Sequence, residues 1–435
     1  MNFRCAALLS AALMGGASTM PAAPTFSREV APILQKHCQQ CHRPGEIAPM
    51  SLLTYSDARP WAKAIRQAVV TKKMPPWFAD PRYGHFSNDS SLAAEEIAIL
   101  TKWVDAGAPE GNASDLPKPM AFADGWSIGK PDLVLEMPKA LPIPATGTLD
   151  IIYLVVPADF NEDRWVQAAE VRPGNRALVH HINAILRTPD QRTLRNLAPG
   201  EPYTPPKNTK FTPPPDGSQP DSEFFVGYVP GLQGKRWPDG QAKFIPKGSD
   251  FIFQIHYSTN GTAGKDQSRI GLIFSKQPPK ERVLSAVAKN WTFAIPAGAT
   301  HHEVRSMIEL GSDVTLVSLQ PHMHYRGRDY EYKAIYPSGE TEVLLRVPNY
   351  DFNWQLTYFL EKPKLLPRGT RIECTAHYDN SANNPANPDP KATVTYGEQS
   401  WDEMMSGWME VGFDPAKSAK DLFVVRNNSS QAATH

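Results

Sequence analysis

Phe251-Ile-Phe-Gln-Ile-His-Tyr257 is the stretch whose reading decides the fold class of most of this chain. Phe251, Phe253, Ile255 and Tyr257 alternate with Ile252, Gln254 and His256, and a period of two puts the two sets on opposite faces of a strand. His256 then points away from the apolar side. Similar Val-, Ile-, Phe- and Tyr-rich segments recur at Leu149 to Val156, Ala177 to Arg187, Ser312 to Gln320 and Thr370 to Tyr378, separated by Pro, Gly, Asn and Asp clusters. This spacing predicts two all-β, jelly-roll-like sandwich domains, at residues 132–280 and 281–415. Pro-rich Thr204 to Pro220 reads as a surface loop, and residues 416–435 as a C-terminal tail that frays from Asn427 onward.

Upstream the period changes from two to three and four. Val30, Ile33, Leu34 and His37 form one such row and Trp61, Ile65, Ala68 and Val69 another. A third helix has Ser91 as its N-cap, Glu95 and Glu96 in its first turns, Ile97, Leu100 and Val104 on one face, and Gly107 as its stop. Three short helices predict a small all-α domain over residues 24–115. Pro, Gly and Asp then dominate, which marks a linker at 116–131. At the start, a positive charge in Met1 to Arg4, an apolar run from Cys5 to about Ala17 and small residues up to Ala22 and Ala23 read as a signal peptide, residues 1–23. No later stretch has the length of a membrane span. With 45 Lys and Arg against 45 Asp and Glu, no net charge favours nucleic acid or an anionic surface.

Of four cysteines, Cys5 leaves with the signal, and the odd number remaining argues against a disulfide framework. Cys38-Gln-Gln-Cys-His42 has the spacing at which two thiols of one helical turn bind haem vinyl groups covalently while the next imidazole reaches the iron. One haem c is therefore expected on Cys38 and Cys41 with His42 as iron ligand. The competing readings are a zinc half-site, which lacks a second cysteine pair, and a thioredoxin-like pair, which lacks its βαβ context. For the second axial position the best candidate is Met74, held between Lys73 and Pro75-Pro76, with Met50, after Ala48-Pro49, the alternative. The closing Trp103-Val-Asp-Ala-Gly107 resembles that of small bacterial cytochrome c domains. Covalent haem attachment and a signal peptide together imply a periplasmic or secreted protein.

Among 12 histidines, five stand in or beside predicted strands: His180, His181, His256, His322 and His324. His322 and His324, two apart, share a face and can meet one metal, whereas adjacent His180 and His181 need a local bend to do so. Imidazoles joined by a methionine thioether suit copper, because sulfur favours Cu(I) and nitrogen serves both oxidation states. His85, His301, His302, His377 and His435 read as ordinary hydrogen-bonded or surface side chains.

The ordered set His180-His181, Gln254-Ile-His-Tyr257, His322-Met-His324 and Asp402-Glu-Met404 resembles the copper type II, ascorbate-dependent monooxygenases, among them peptidylglycine α-hydroxylating monooxygenase and dopamine β-monooxygenase. The similarity covers Asp132 to Phe413. It implies two coppers, an electron-storing one on His180, His181 and His256 and an oxygen-activating one on His322, His324 and Met404. It further implies sites that are well separated across a solvent-filled cleft, with Gln254 near the first, and hydroxylation of a C–H bond. Two departures limit the carry-over. The arginine and tyrosine that hold a peptide carboxylate in the amidating enzymes are Gln320 and Trp408 here, and the asparagine two after the methionine is Ser406. The family's several disulfides are also missing. A C-terminal glycine peptide is thus not the expected substrate.

The expectation is a copper monooxygenase acting on a small organic substrate with dioxygen, fed with electrons from a periplasmic or ascorbate-like donor through the haem. Its rivals are a non-enzymatic electron carrier or copper-binding protein, and a scaffold for carbohydrate or a partner protein whose histidines are structural.

Overall fold

The computed structural model describes residues 23–46, 48–122, 125–206, 223–232 and 234–424. The signal segment before residue 23, most of the Pro-rich stretch Thr204 to Pro220 and the tail from Asn427 lie outside the described residues. Among those described, a nine-stranded sheet forms the spine. Its order is Leu133–Glu136, Arg269–Phe274, Arg164–Arg172, Gln241–Ile245, Glu281–Asn290, Met405–Phe413, Val314–His322 and Tyr358–Leu366, with Lys235–Arg236 added on Arg164–Arg172.

Two four-stranded sheets cover this spine. Ile152–Val156, Asp250–Tyr257, Val179–Arg187 and Glu223–Tyr228 form the first, and Leu154, Ile182, Phe225 and Phe253 from it share a core with Val166, Val171, Ile270 and Leu272 of the spine. The second runs His302–Glu309, Arg371–Tyr378, Gly327–Ile335 and Thr341–Val347, and its Val304, Tyr330, Tyr332 and Ala376 pack on Leu316, Leu319, Met409 and Val411. Each large apolar side chain buried this way contributes roughly 1.5–3 kcal/mol, and these cores carry the stability that disulfides do not, since Cys38, Cys41 and Cys374 are free.

The expected fold class, a separate all-α cytochrome c domain followed by two all-β sandwiches, is corrected by this architecture. The α-helices Ala31–His37, Tyr55–Ala58, Ala62–Val70 and Ala94–Asp105 are short and surround a small cluster that includes Phe26, Leu34, Leu100 and Trp103. The chain between them does not stay apart. Trp77, Phe78, Ala79 and Phe86 pack on the second β core, Phe86 bridges to Leu360, and Asn88 donates to Thr357 O at 2.8 Å and accepts from Phe359 N–H at 3.0 Å. The β region does not divide cleanly near Lys280 either. The strand Glu281–Asn290 pairs in parallel with Gln241–Ile245 and antiparallel with Met405–Phe413, and it gives Val283 to the first core but Ala286 and Ala288 to the second.

Smaller differences have local causes. The third helix starts at Ala94 rather than after Ser91, because Asp89 captures the Ser91 N–H at 2.8 Å and Glu96 reaches back to the Ala93 N–H at 2.8 Å. Its end fits a glycine stop, Gly107 having φ +87°. Trp61, placed on a buried row by periodicity, is 42% exposed because a 3₁₀ turn, Arg59–Trp61, breaks the phase ahead of Ala62–Val70. No helix among the described residues is long and apolar enough to cross a membrane.

Candidate metal centre

His180, His181 and His256 converge through a defect in strand pairing. Against Asp250–Tyr257, Val179 opposes Tyr257 and His181 opposes His256, so the register shifts and His180 is the extra residue of a bulge. This supplies the bend that two neighbouring histidines need to reach one point. Their nitrogens come within 4.8 Å of one another, with 3.2 Å between the Nδ1 atoms of His180 and His181. The three ring centroids are 5.2 to 5.3 Å apart. Burial holds all three imidazoles below their ordinary pKa, His256 down to about 4, and the neighbouring rings add to the effect at His181. His256 Nδ1 is buried without a hydrogen-bond partner. Neutral imidazoles that turn nitrogens toward one another, one of them orphaned, make a donor set that fits a soft or borderline cation.

The second group sits at the end of the strand Val314–His322, where the His322 and His324 rings are 5.2 Å apart. Here each Nδ1 is occupied. His324 Nδ1–H donates to the Asp402 carbonyl at 3.2 Å and His322 Nδ1–H to Gln355 Oε1 at 2.8 Å, which leaves Nε2 of both rings for a ligand. Met404 is on the turn that holds His324. Glu403 of that turn accepts from the backbone N–H groups of His324 at 2.8 Å, Arg326 at 2.7 Å and Met404 at 3.3 Å. Met404 itself is buried, 9% exposed, and its carbonyl accepts from Tyr378. Burial pushes His322 down to about 4 and His324 well below the usual imidazole range.

One loop, residues 348–357, touches both groups. Tyr350 OH binds the backbone of Met323 at 2.8 and 3.1 Å, the backbone of Asn353 bonds His180, and Gln355 Oε1 accepts from His322 Nδ1–H. The Phe352 ring lies 6.1 Å from His180 and 5.8 Å from His324. Phe352 thus packs near one ring of each histidine group, and His322 and His324 lie within electrostatic reach of His181. Sequence reading missed Phe352, Asn353 and Gln355; the only signal was the run of aromatics and amides in Tyr350-Asp-Phe-Asn-Trp-Gln355.

Gln320 and Trp408 line a crevice with Asn183, Phe224, Phe359 and Glu410, between the first four-stranded sheet and the spine. Gln254, two residues before His256 on the same strand, accepts from Asn183 at 2.7 Å and donates to Tyr153 OH, which donates in turn to Glu398 at 2.9 Å.

Cys38, Cys41 and His42 sit on one turn, with His42 N–H and Cys41 N–H both donating to the Cys38 carbonyl at 2.9 and 3.1 Å. Burial raises both thiols, Cys38 up to about 12. His42 Nδ1–H donates to the Met50 carbonyl at 3.3 Å, leaving Nε2 free, and burial lowers its pKa. Two unpaired thiols on one turn followed by an imidazole with a free Nε2 fit a covalent haem. Of the candidate second ligands, Met50 uses its backbone to orient His42 and packs beside the helical cluster. Met74 lines a cavity of about 1290 Å³ with Val69, Leu92 and Ile97 on one wall and Tyr325, Tyr350 and Phe352 on the other. The Cys41 segment docks on the first β core. Arg176 pairs with Glu46 at 2.5 Å, and a Cβ on Gly231, whose φ is +84°, would meet Cys41 Sγ at 2.9 Å.

No protein-family model matches this sequence, and no curated protein matches it either. Among solved structures it is similar to the infectious bursal disease virus Gx strain, at 10% identity and TM-score 0.20 over 68% of this chain and 75% of that one. The Gt strain of the same virus gives 11% identity and TM-score 0.18 over 68% and 75%. Scores of this size bear on neither fold nor function.

Proposed function

We propose that this chain is a periplasmic or secreted copper monooxygenase that hydroxylates a C–H bond of a small organic substrate, with electrons entering through a haem on Cys38 and Cys41. The observation that carries this reading is that Phe352 packs near rings of two histidine groups, one of which brings the ligand atoms of three imidazoles within 4.8 Å of one another. In it, His180, His181 and His256 hold one copper, and His322, His324 and Met404 the other. Copper supplies one-electron redox change and oxygen activation, and haem supplies electron transfer.

The chain's own residues set the conditions. Burial keeps the imidazoles neutral and available as ligands. Gln355 and the Asp402 carbonyl fix the tautomers of His322 and His324. The crevice beside Gln320 and Trp408 accepts an apolar group, and its Lys235 faces Glu410 at 3.8 Å, so a free carboxylate on the substrate has no unpaired cation there. The overall reaction puts one atom of dioxygen into the C–H bond and releases the other as water, consuming two electrons and two protons. Arg176, four residues before His180 in sequence, pairs with Glu46 of the segment that follows His42, which supports electron entry from this side, and an external reductant completes the supply.

A second reading is favoured by one observation. The Phe352 ring packs 6.1 Å from His180 and 5.8 Å from His324, as suits an electron-transfer or copper-binding protein with no oxygenase activity. His324→Ala separates the two. In the copper-loaded, reduced protein, oxygen uptake coupled to hydroxylation of an apolar probe such as an alkylbenzene is expected to fall by more than about 100-fold, with haem reduction unchanged. Wild-type protein that reduces its haem and consumes no oxygen with any such probe contradicts the monooxygenase reading.

A further inference from the structure

We propose that His301, Asp329 and His377 form a third metal site, for zinc, that clips together three strands of the second β unit. His377 on Arg371–Tyr378 is the direct partner of Glu303 on His302–Glu309 and of Asp329 on Gly327–Ile335, so all three side chains stand on one face of the sheet. That face is outward, since the alternate residues Ile372, Cys374, Ala376 and Tyr378 are the buried ones. His301, two before Glu303, comes to the same face and stacks on His377 with centroids 4.0 Å apart and planes inclined by 20°.

The ligand atoms of His301, Asp329 and His377 lie within 4.8 Å of one another. The Asp329 carboxylate holds the set together, one oxygen 2.7 Å from His377 Nδ1 and the other 3.7 Å from His301 Nε2. Glu303 is 3.5 Å from His377 Nε2 but is bonded at 2.8 Å by Arg305, so it is left outside the ligand set. Two imidazole nitrogens and one carboxylate oxygen, with a position left to water, are a borderline donor set that suits tetrahedral zinc. The chemistry differs from that of the two groups beside Phe352. A carboxylate is present and no thioether is near in sequence, so Cu(I) gains nothing here. Cys374, between the joined strands, is free, and a metal link across three strands does in this unit what disulfides do in other exported proteins.

The test uses the full chain, stripped with chelator and titrated with zinc chloride, with bound zinc counted by mass spectrometry and melting followed by circular dichroism. Wild type is compared with His377→Ala, Asp329→Asn and, as control, His85→Ala, each also in a His180→Ala/His256→Ala background that removes competing ligands. The expected result is one zinc equivalent lost in H377A and D329N in both backgrounds, together with a zinc-induced rise in Tm that wild type and H85A show and H377A and D329N lack. Asp329→Asn preserves volume and hydrogen bonding, which keeps the test valid if H377A folds poorly. Equal zinc counts in wild type and D329N, or an equal Tm rise in both, overturns the proposal.

Discussion

The two histidine groups beside Phe352 are built from the same side chain by opposite means. In the first, a bulge throws His180 and His181 onto one side, and their Nδ1 atoms face each other at 3.2 Å while His256 Nδ1 has no partner. In the second, both Nδ1 atoms are committed to neighbours, Gln355 and Asp402, and only Nε2 is left. The first group is shaped by backbone and the second by hydrogen bonds. A metal in the first is set by where the strands put the rings, and a metal in the second by how the rings are turned.

That contrast can be broken experimentally. Replacing Gln355 by Ala removes the acceptor that orients His322, and copper affinity at the second group is expected to fall about 10- to 100-fold. The first group should keep its affinity, as read by competition with a chromogenic Cu(I) chelator. An equal loss at both groups would mean that loop 348–357 is one support for the pair and that the contrast is false. A smaller effect sharpens the role of the Cys38–His42 turn. Arg176→Ala removes the Glu46 ion pair between the turn and the first β core, partners that are 23% and 12% exposed. Its cost in stability should be about 1 kcal/mol or less by chemical denaturation, given a partly solvated pair. Transfer of an electron from reduced haem to the first copper, followed by stopped flow, should nevertheless slow several-fold. Unchanged transfer would place the electron route elsewhere.

Local pattern explains which parts of this were legible from sequence. The alternation in Phe251 to Tyr257 gives the strand and its polar face, and the observed strand, Asp250–Tyr257, ends within a residue of the expected one. Adjacent His180 and His181 could be recognised as needing a bend, because side chains alternate on a regular strand. Long-range pairing was not legible. Nothing in Gln241–Ile245 announces that it lies parallel to Glu281–Asn290, forty residues later, yet that pairing fuses the two β halves into one sheet. Nor does Phe86 signal that it joins Leu360, which ties the helical segment to the second core. Phe352 and Gln355 belong to no motif, and their importance comes only from where a loop crosses. His301, Asp329 and His377 come together from three strands, so each looked ordinary alone.

The most direct test is the copper and haem content of the purified, copper-reconstituted protein, wild type beside a variant carrying His180→Ala, His256→Ala and His324→Ala. Two coppers per haem in the wild type, both lost in the variant while haem and circular dichroism stay unchanged, is the predicted result. One haem without copper that depends on these histidines would contradict the account.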